Sequence, residues 1–146
     1  MALDLAGLDG VPVVGYGSIQ YLAAEMGVAP DSLVKPSPIQ ALAAIYAALS
    51  GDVYKSLFWA KDFTQIYRTA SQDPSLPPEM EIHIFEDSPI GIQACCRAAD
   101  LLGAAGHKVN IKAWGIATNE DKIKALEAEG AAVYPDVNQV IRIALS

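Results

Sequence analysis

The sequence predicts an α/β fold with a mostly parallel sheet, in three layers with helices on both faces. Short apolar segments of strand length alternate with amphipathic segments of helix length, which is typical of βαβ units. The composition agrees with this, because 52% of the 146 residues are hydrophobic and 18% are charged. That is enough apolar material for a packed core and too much for a disordered chain. We therefore expect a single domain spanning residues 1–146.

The first half of the chain begins with three predicted elements. They are a buried strand ending at glycines, a helix, and a weak strand or turn, at residues 11–17, 18–26 and 31–34. A second helix is predicted to begin after Ser37. Ser37 is a capping residue type, Pro38 suits the first helical position, and Gln40 would complete a capping box.

The middle of the chain, residues 51–80, is less regular. Residues 53–70 predict an amphipathic helix rich in aromatic side chains, and residues 71–78, with three prolines, predict a loop. This inserted helix would pack on the core of its own domain, or it would form a dimer or partner surface. Three further strands are predicted at residues 81–85, 110–117 and 131–134, each followed by a helix, the last two helices capped by Thr118 and Asp136.

Charge and apolar patterning exclude several classes of protein. The chain has 10 Lys and Arg against 17 Asp and Glu, a net charge of −7, which disfavours binding to nucleic acid or an anionic membrane. Residues 1–10 lack a basic segment, and no apolar run approaches the roughly 18 residues of a membrane span, so we expect a cytoplasmic protein. The adjacent Cys95 and Cys96 are expected to be core residues, neither disulfide-bonded nor metal-bound.

Ligands of parallel α/β sheets bind at the carboxyl ends of the strands. The polar residues that follow predicted strands are Ser18, Glu86, Asp87, Ser88, Thr118 and Asn119, and Lys35 lies just before a capped helix. A lysine and hydroxyl groups would hold phosphate oxygens, and Glu86 and Asp87 would hold Mg²⁺. Each residue also has an ordinary structural explanation: the serines as helix caps, Lys35 as a solvated turn residue, and the acidic pair as a surface turn.

Residues 85–94, Phe-Glu-Asp-Ser-Pro-Ile-Gly-Ile-Gln-Ala, resemble the fourth signature motif of the haloacid dehalogenase (HAD) superfamily of phosphohydrolases. The phosphoglucomutase and phosphoglycolate phosphatase branch is the most similar. Residues 35–38, Lys-Pro-Ser-Pro, resemble the third motif of that branch, and residues 11–18 fall where the strand of the second motif would lie. The resemblance spans about residues 11–145.

This resemblance implies a HAD-like, Rossmannoid core. The ten residues before Val11 leave no room for the nucleophile strand or for the cap that usually follows it, so we expect no separate cap domain. The motif matches and the strand-end positions together give Ser18, Lys35, Thr118 and Asn119 as the expected phosphate-binding residues and Glu86 and Asp87 as the expected metal ligands. The implied ligand is a small phosphorylated molecule with Mg²⁺.

The sequence departs from the HAD pattern at the point where the chemistry of that family begins. The family uses an Asp-x-Asp motif, whose first Asp attacks phosphorus and whose second acts as general acid and base. No Asp-x-Asp occurs in this chain, so no catalytic residue is assigned and Mg²⁺ would be held weakly. Our leading hypothesis is a HAD-like domain without phosphatase activity, with a remnant phosphate- and Mg²⁺-binding or regulatory role.

Two other hypotheses follow from the same residues. The chain is a Mg²⁺-dependent phosphomonoester hydrolase whose nucleophile comes from another chain or a missing N-terminal segment, or it is a stable fold that binds no ligand. Without the nucleophile strand, the edge of the sheet would be exposed, and a homodimer contact or a partner protein would cover it.

Overall fold

The structure is a computed structural model that describes residues 10–66 and 72–144. It contains the helices α1 (Tyr16–Met26), α2 (Pro38–Ser50), α3 (Val53–Ile66), α4 (Pro89–Ala104), α5 (Glu120–Ala128) and α6 (Val137–Ala144). Its strands are β1 (Glu79–Glu86), β2 (Lys108–Ile116) and β3 (Ala132–Tyr134), and a 3-10 helix spans Pro30–Ser32. The α/β class is confirmed. None of the helices in the described ranges is both long and apolar enough to cross a membrane.

The three strands form one parallel sheet in the order β1-β2-β3. Glu79 pairs with Lys108 at one end of the β1–β2 ladder, and Glu86 pairs with Gly115 at the other. Each crossover contains one helix, as parallel strands require. Within the described residues, β1 has no strand on its other side.

The two faces of the sheet differ in their side chains. One face packs into the core through Met80, Ile82, Ile84, Val109, Ile111 and Ala113. The residues between these on β1 and β2 are mostly charged and exposed, and they end in Phe85 and the partly buried Trp114. The larger core cluster joins α1, α2, α3 and α4, and the smaller one lies between the sheet, α4 and α5.

The start of α2 is predicted correctly, although one detail differs. Ser37 Oγ accepts a hydrogen bond from the Ile39 N–H at 3.4 Å, and Pro38 occupies the first helical position. The predicted capping box is wrong, because Gln40 Nε2 instead donates to the Val14 carbonyl at 3.1 Å. Gln40 thereby attaches the segment before α1 to α2.

The predicted strand at residues 11–17 is wrong. Residues 11–15 are irregular, and α1 already begins at Tyr16. Val11 and Val13 are 51% and 46% exposed, and of the three valines that suggested a buried strand only Val14 packs against the core. Pro12 also lacks the N–H that a central strand needs.

Other boundaries shift by a few residues. The segment predicted as a weak strand or turn contains the 3-10 helix, and the aromatic helix is described as far as Ile66. Residues 67–71, which fall within the predicted helix and loop, lie outside the described residues. Strands β1 and β2 begin two residues earlier than predicted, and β1 includes Glu86.

A buried polar network, formed by Trp59, Asp73, Ser75, Pro77 and His107, fixes the loop before β1. Trp59 Nε1 donates to Asp73 Oδ2 at 2.7 Å, and the Ser75 N–H and hydroxyl donate to Asp73 Oδ1. The Asp73 N–H donates to His107 Nε2 at 3.1 Å, so Nδ1 holds the proton and donates to the Pro77 carbonyl. Asp73 and His107 are 6% and 4% exposed, and the network ties the loop to α3 and to the start of β2.

Candidate functional site

The carboxyl ends of β1 and β2 lie side by side and lead directly into helices. Glu86 is the last residue of β1, and Asp87 and Ser88 connect it to α4. After β2, Thr118 and Asn119 lead into α5. Parallel pairing therefore brings the acidic pair and the Thr118–Asn119 turn to the same edge of the sheet.

Lys35 joins this edge through an ion pair. Its Nζ donates a hydrogen bond to Glu86 Oε1, although the two residues are 51 positions apart in the chain. The Glu86 side chain is 16% exposed and that of Lys35 is 39% exposed. Arg97 of α4 holds the Lys35 turn, since its Nη1 donates to the Pro36 carbonyl at 3.0 Å.

Gly91 makes room for the Glu86 carboxylate against the first turn of α4. A Cβ placed on Gly91 would lie 2.1 Å from the Glu86 carboxyl carbon, which is closer than any non-bonded contact allows. The Ser88 hydroxyl accepts from the Gly91 N–H at 3.3 Å, as expected for a helix cap. Gly91 is a residue of the candidate site that the sequence patterns did not reveal, although its place three residues after the cap of α4 could have indicated it.

Asp87 forms a second ion pair, with Lys122 in the first turn of α5. Lys122 Nζ donates to Asp87 Oδ2 at 2.9 Å, and the Asp87 side chain is 72% exposed. The hydrogen bond and the charge of Lys122 lower the pKa of Asp87, and Lys35 adds to this effect. Lys122 was missed in the sequence because it does not directly follow a strand. We call Lys35, Glu86, Asp87 and Lys122 the charged cluster.

The remaining predicted phosphate ligands are placed differently. Ser18 lies in the first turn of α1, where it lines a small groove with Tyr21 and Tyr54. Lys35 and Glu86 line another cleft of about 200 Å³, and the structure does not bring Ser18 into it.

Thr118 and Asn119 also differ in what they do. Thr118 is exposed and lies at the strand end. Asn119, not Thr118, caps α5, because its Oδ1 accepts from the N–H groups of Asp121 and Lys122 at 3.0 and 3.2 Å. The predicted cap at Thr118 is therefore wrong, and the Asn119 carbonyl oxygen is already engaged.

The charged cluster offers only two carboxylates to a metal ion, and each of them is hydrogen-bonded to a lysine. Among the residues that the structure describes, no group of three His, Cys, Asp or Glu side chains is placed to hold a metal. Mg²⁺ prefers six oxygen ligands and retains water when the protein supplies few of them. Glu86 and Asp87 thus fit a weakly held, largely hydrated ion.

The cysteines beside the cleft add no reactive group. Cys95 and Cys96 are free thiols, and Cys96 is exposed rather than in the core. Burial, and then the charge of Glu86, raise the pKa of Cys95 to about 11. The neutral thiol is a poor nucleophile and a poor metal ligand.

Comparisons with known proteins identify no relative: no family model, no curated protein and no solved structure matches the chain.

Proposed function

We propose that this chain is a HAD-like domain that binds a small phosphorylated molecule together with Mg²⁺ and does not hydrolyse it. The finer form of the fold, three layers with helices on both faces, and a cytoplasmic location belong to the same proposal. The observation that supports it is the charged cluster at the carboxyl edge of the sheet, where the HAD-like motifs at residues 35–38 and 85–94 meet.

The charges of the cluster favour a ligand of mixed charge. Two lysines and two carboxylates sum to zero, and each lysine is paired with one carboxylate. Phosphate alone would meet the repulsion of Glu86 and Asp87, and Mg²⁺ alone would meet that of Lys35 and Lys122. A magnesium–phosphate pair satisfies both signs, so each component should raise the affinity for the other.

The sequence supports binding without turnover. A phosphoaspartyl mechanism needs a nucleophilic carboxylate, and removing the nucleophile from a covalent mechanism abolishes nearly all of the rate acceleration. The chain has no Asp-x-Asp motif. Glu86 and Asp87 each accept a hydrogen bond from a lysine. A carboxylate paired in this way is better suited to balance charge in a binding site than to attack phosphorus as a nucleophile.

Isothermal titration calorimetry with inorganic phosphate tests the proposal. We expect binding heat when Mg²⁺ is present and little without it. Lys35→Gln should weaken binding by about tenfold, the value of one charged hydrogen bond. Lys124→Gln, on the same helix as Lys122 but outside the cluster, is the matched control and should bind normally. Equal binding with and without Mg²⁺, or equal losses in both variants, would contradict the proposal.

A second candidate function is a Mg²⁺-dependent phosphomonoester hydrolase whose nucleophile comes from another chain or an N-terminal segment. The observation that favours it is the open edge of β1, the strand that ends at Glu86, within the described residues. A strand bearing a nucleophile could lie there beside Glu86. Turnover of a small phosphate ester with Mg²⁺ that is lost in Asp87→Ala would favour this function over the first.

A further inference from the structure

Within the part of the chain that the structure describes, the backbone of β1 has unpaired hydrogen-bonding groups along its open edge. Lys108 N–H donates to the Pro78 carbonyl, and the parallel ladder then engages every second residue of β1. The N–H and C=O groups of Glu81, His83 and Phe85 consequently point away from β2. No backbone hydrogen bond within the described residues reaches them. Such an edge is a template for pairing with another strand.

Helix α2 extends over the space beside this edge and leaves an apolar stripe only partly covered, since Ala44 and Ala48 are exposed while Ala41 and Ile45 pack against the larger core cluster. Its buried face includes Leu42, Ala43 and Tyr46. A second stripe at helical spacing, Ala41, Ala44, Ile45 and Ala48, lines two clefts of about 200 and 210 Å³. An amphipathic helix in a folded domain normally buries its apolar residues against another element.

The two clefts follow each other along β1. One is bordered by the β1 residues 80–83 and the other by Glu86. Together with the open edge they form what we call the strand slot, the space between β1 and the stripe of α2. It follows the eight residues of β1, a length of about 26 Å at roughly 3.3 Å per residue. An extended peptide of about eight residues matches this length.

The charges beside the slot define the chemistry of the occupant. On the exposed face of β1, opposite the core, lie Glu79 and Glu81, whose side chains are 67% and 48% exposed. On β2 the corresponding column contains Lys108 and Lys112, which pair with these acids at 2.6 and 3.1 Å. Opposite charges on neighbouring strands stabilise a sheet. A strand on the open side of the acidic column is therefore favoured when it presents basic residues.

We propose that the strand slot binds an extended segment of a partner protein in which apolar and basic residues alternate, by adding a strand to β1. The apolar residues pack under the stripe of α2, and the basic residues face Glu79 and Glu81. Backbone hydrogen bonds to Glu81, His83 and Phe85 supply affinity, as in other cases of strand addition. The slot shares Lys35 and Glu86 with the charged cluster at one end, but this inference does not rest on phosphate binding.

A second copy of the chain fits the slot less well than such a peptide. Its β1 would bring its own acidic residues to the acidic column in parallel pairing. In antiparallel pairing, the α4 of the second copy, which covers its own β1, would compete with α2 for the same space, since packed helices need about 10 Å each and strands about 4.8 Å. A dimer formed through β1 would therefore overturn the proposal.

The experiment uses the full chain and a synthetic peptide, Lys-Val-Lys-Val-Lys-Val-Lys, labelled for fluorescence anisotropy. We expect binding that weakens at least tenfold in Ala48→Glu, which places a charge in the slot from an exposed helix position. Ala125→Glu, at an exposed position of α5, is the matched control and should bind normally. The double variant Glu79→Lys, Glu81→Lys should weaken binding of this peptide about tenfold and strengthen that of its Glu-Val counterpart.

Hydrogen exchange locates the contact. Peptide binding should slow exchange at the amides of Glu81, His83 and Phe85, which should exchange quickly in the free chain. Three results would overturn the proposal: these amides are already protected without peptide, a peptide with the same residues in blocks binds equally well, or protection appears elsewhere. A dimer that loses its contact in Ala48→Glu would overturn it as well.

Discussion

The buried polar network and the charged cluster are two polar regions with opposite environments. In the network, Asp73 and His107 lie in the interior, and their side-chain polar atoms are bonded to Trp59, Ser75 and the loop backbone. In the charged cluster, the lysines and Asp87 are exposed, and a ligand can replace their partners at little cost. Loss of a buried partner leaves a polar group unsatisfied, whereas loss of an exposed one leaves it in water. The network is therefore expected to stabilise the fold, and the cluster is the region where we propose that a ligand binds.

The largest effect is expected from Asp73→Ala. The Trp59 N–H and the Ser75 N–H lose their acceptor within the protein interior, so we expect the free energy of unfolding to fall by about 3 kcal/mol. Urea denaturation followed by circular dichroism measures this. Asp62→Ala, which removes an exposed carboxylate on α3, is the control and should change stability by less than about 0.5 kcal/mol. Equal losses of unfolding free energy in the two variants would contradict the expected difference between the buried network and the exposed surface.

The same network should make stability depend on pH. Burial alone would raise the pKa of Asp73, but hydrogen bonds from Ser75 and Trp59 outweigh it and lower that pKa. A carboxyl group with a lowered folded-state pKa stabilises the fold above its unfolded value of about 3.9, and this contribution is lost as the pH falls through the folded value. The stability advantage of wild type over Asp73→Asn should shrink below about pH 4. A constant difference between about pH 6 and pH 3 would contradict this.

Gly91→Ala is expected to separate binding from stability. The added Cβ would displace the Glu86 carboxylate and break its pair with Lys35. Because the end of the Glu86 side chain can swing away, stability should change by less than about 1 kcal/mol, while affinity for magnesium–phosphate should fall about tenfold. Gly103→Ala is the control, since a Cβ on that residue of α4 meets nothing within 4 Å. If calorimetry gives the two variants equal affinities for magnesium–phosphate, Glu86 is not part of the proposed binding site.

The smallest effect is expected for the ion pair between Asp87 and Lys122. A double-mutant cycle with Asp87→Asn and Lys122→Gln should give a coupling free energy below about 1 kcal/mol, which salt reduces further, because exposed ion pairs are weak. Thermal unfolding at low and high salt provides the measurement. A coupling free energy above about 2 kcal/mol would show that this ion pair stabilises the fold.

Local patterns predicted most of the elements after Ser37. The cap at Ser88 and the apolar alternation of β1 depend on neighbouring residues, so they can be recognised without tertiary information. The strand prediction for residues 11–17 was wrong because their valines favour a strand locally, whereas a strand also needs a neighbouring strand and a buried face. That information is not local.

The candidate site was predictable only in part, for the same reason. Glu86 and Asp87 follow an apolar strand and could be recognised, but their partners depend on the packing of α2 and α5 against the sheet. The Lys35–Glu86 pair joins residues 51 positions apart, and Lys122 reaches Asp87 from another helix. The buried network was missed because Asp73 and His107 lie in or next to loops, where polar residues are usually taken as solvated.

Phosphorus NMR of a small phosphate ester, mixed with the full chain and Mg²⁺, tests the central claim most directly, because it reports binding and hydrolysis together. We predict that the ester resonance broadens or shifts when the protein is added, that Mg²⁺ is needed for the change, and that no inorganic phosphate signal grows with time. An ester resonance that stays unchanged, or an inorganic phosphate signal that grows and disappears in Asp87→Ala, would contradict binding without turnover.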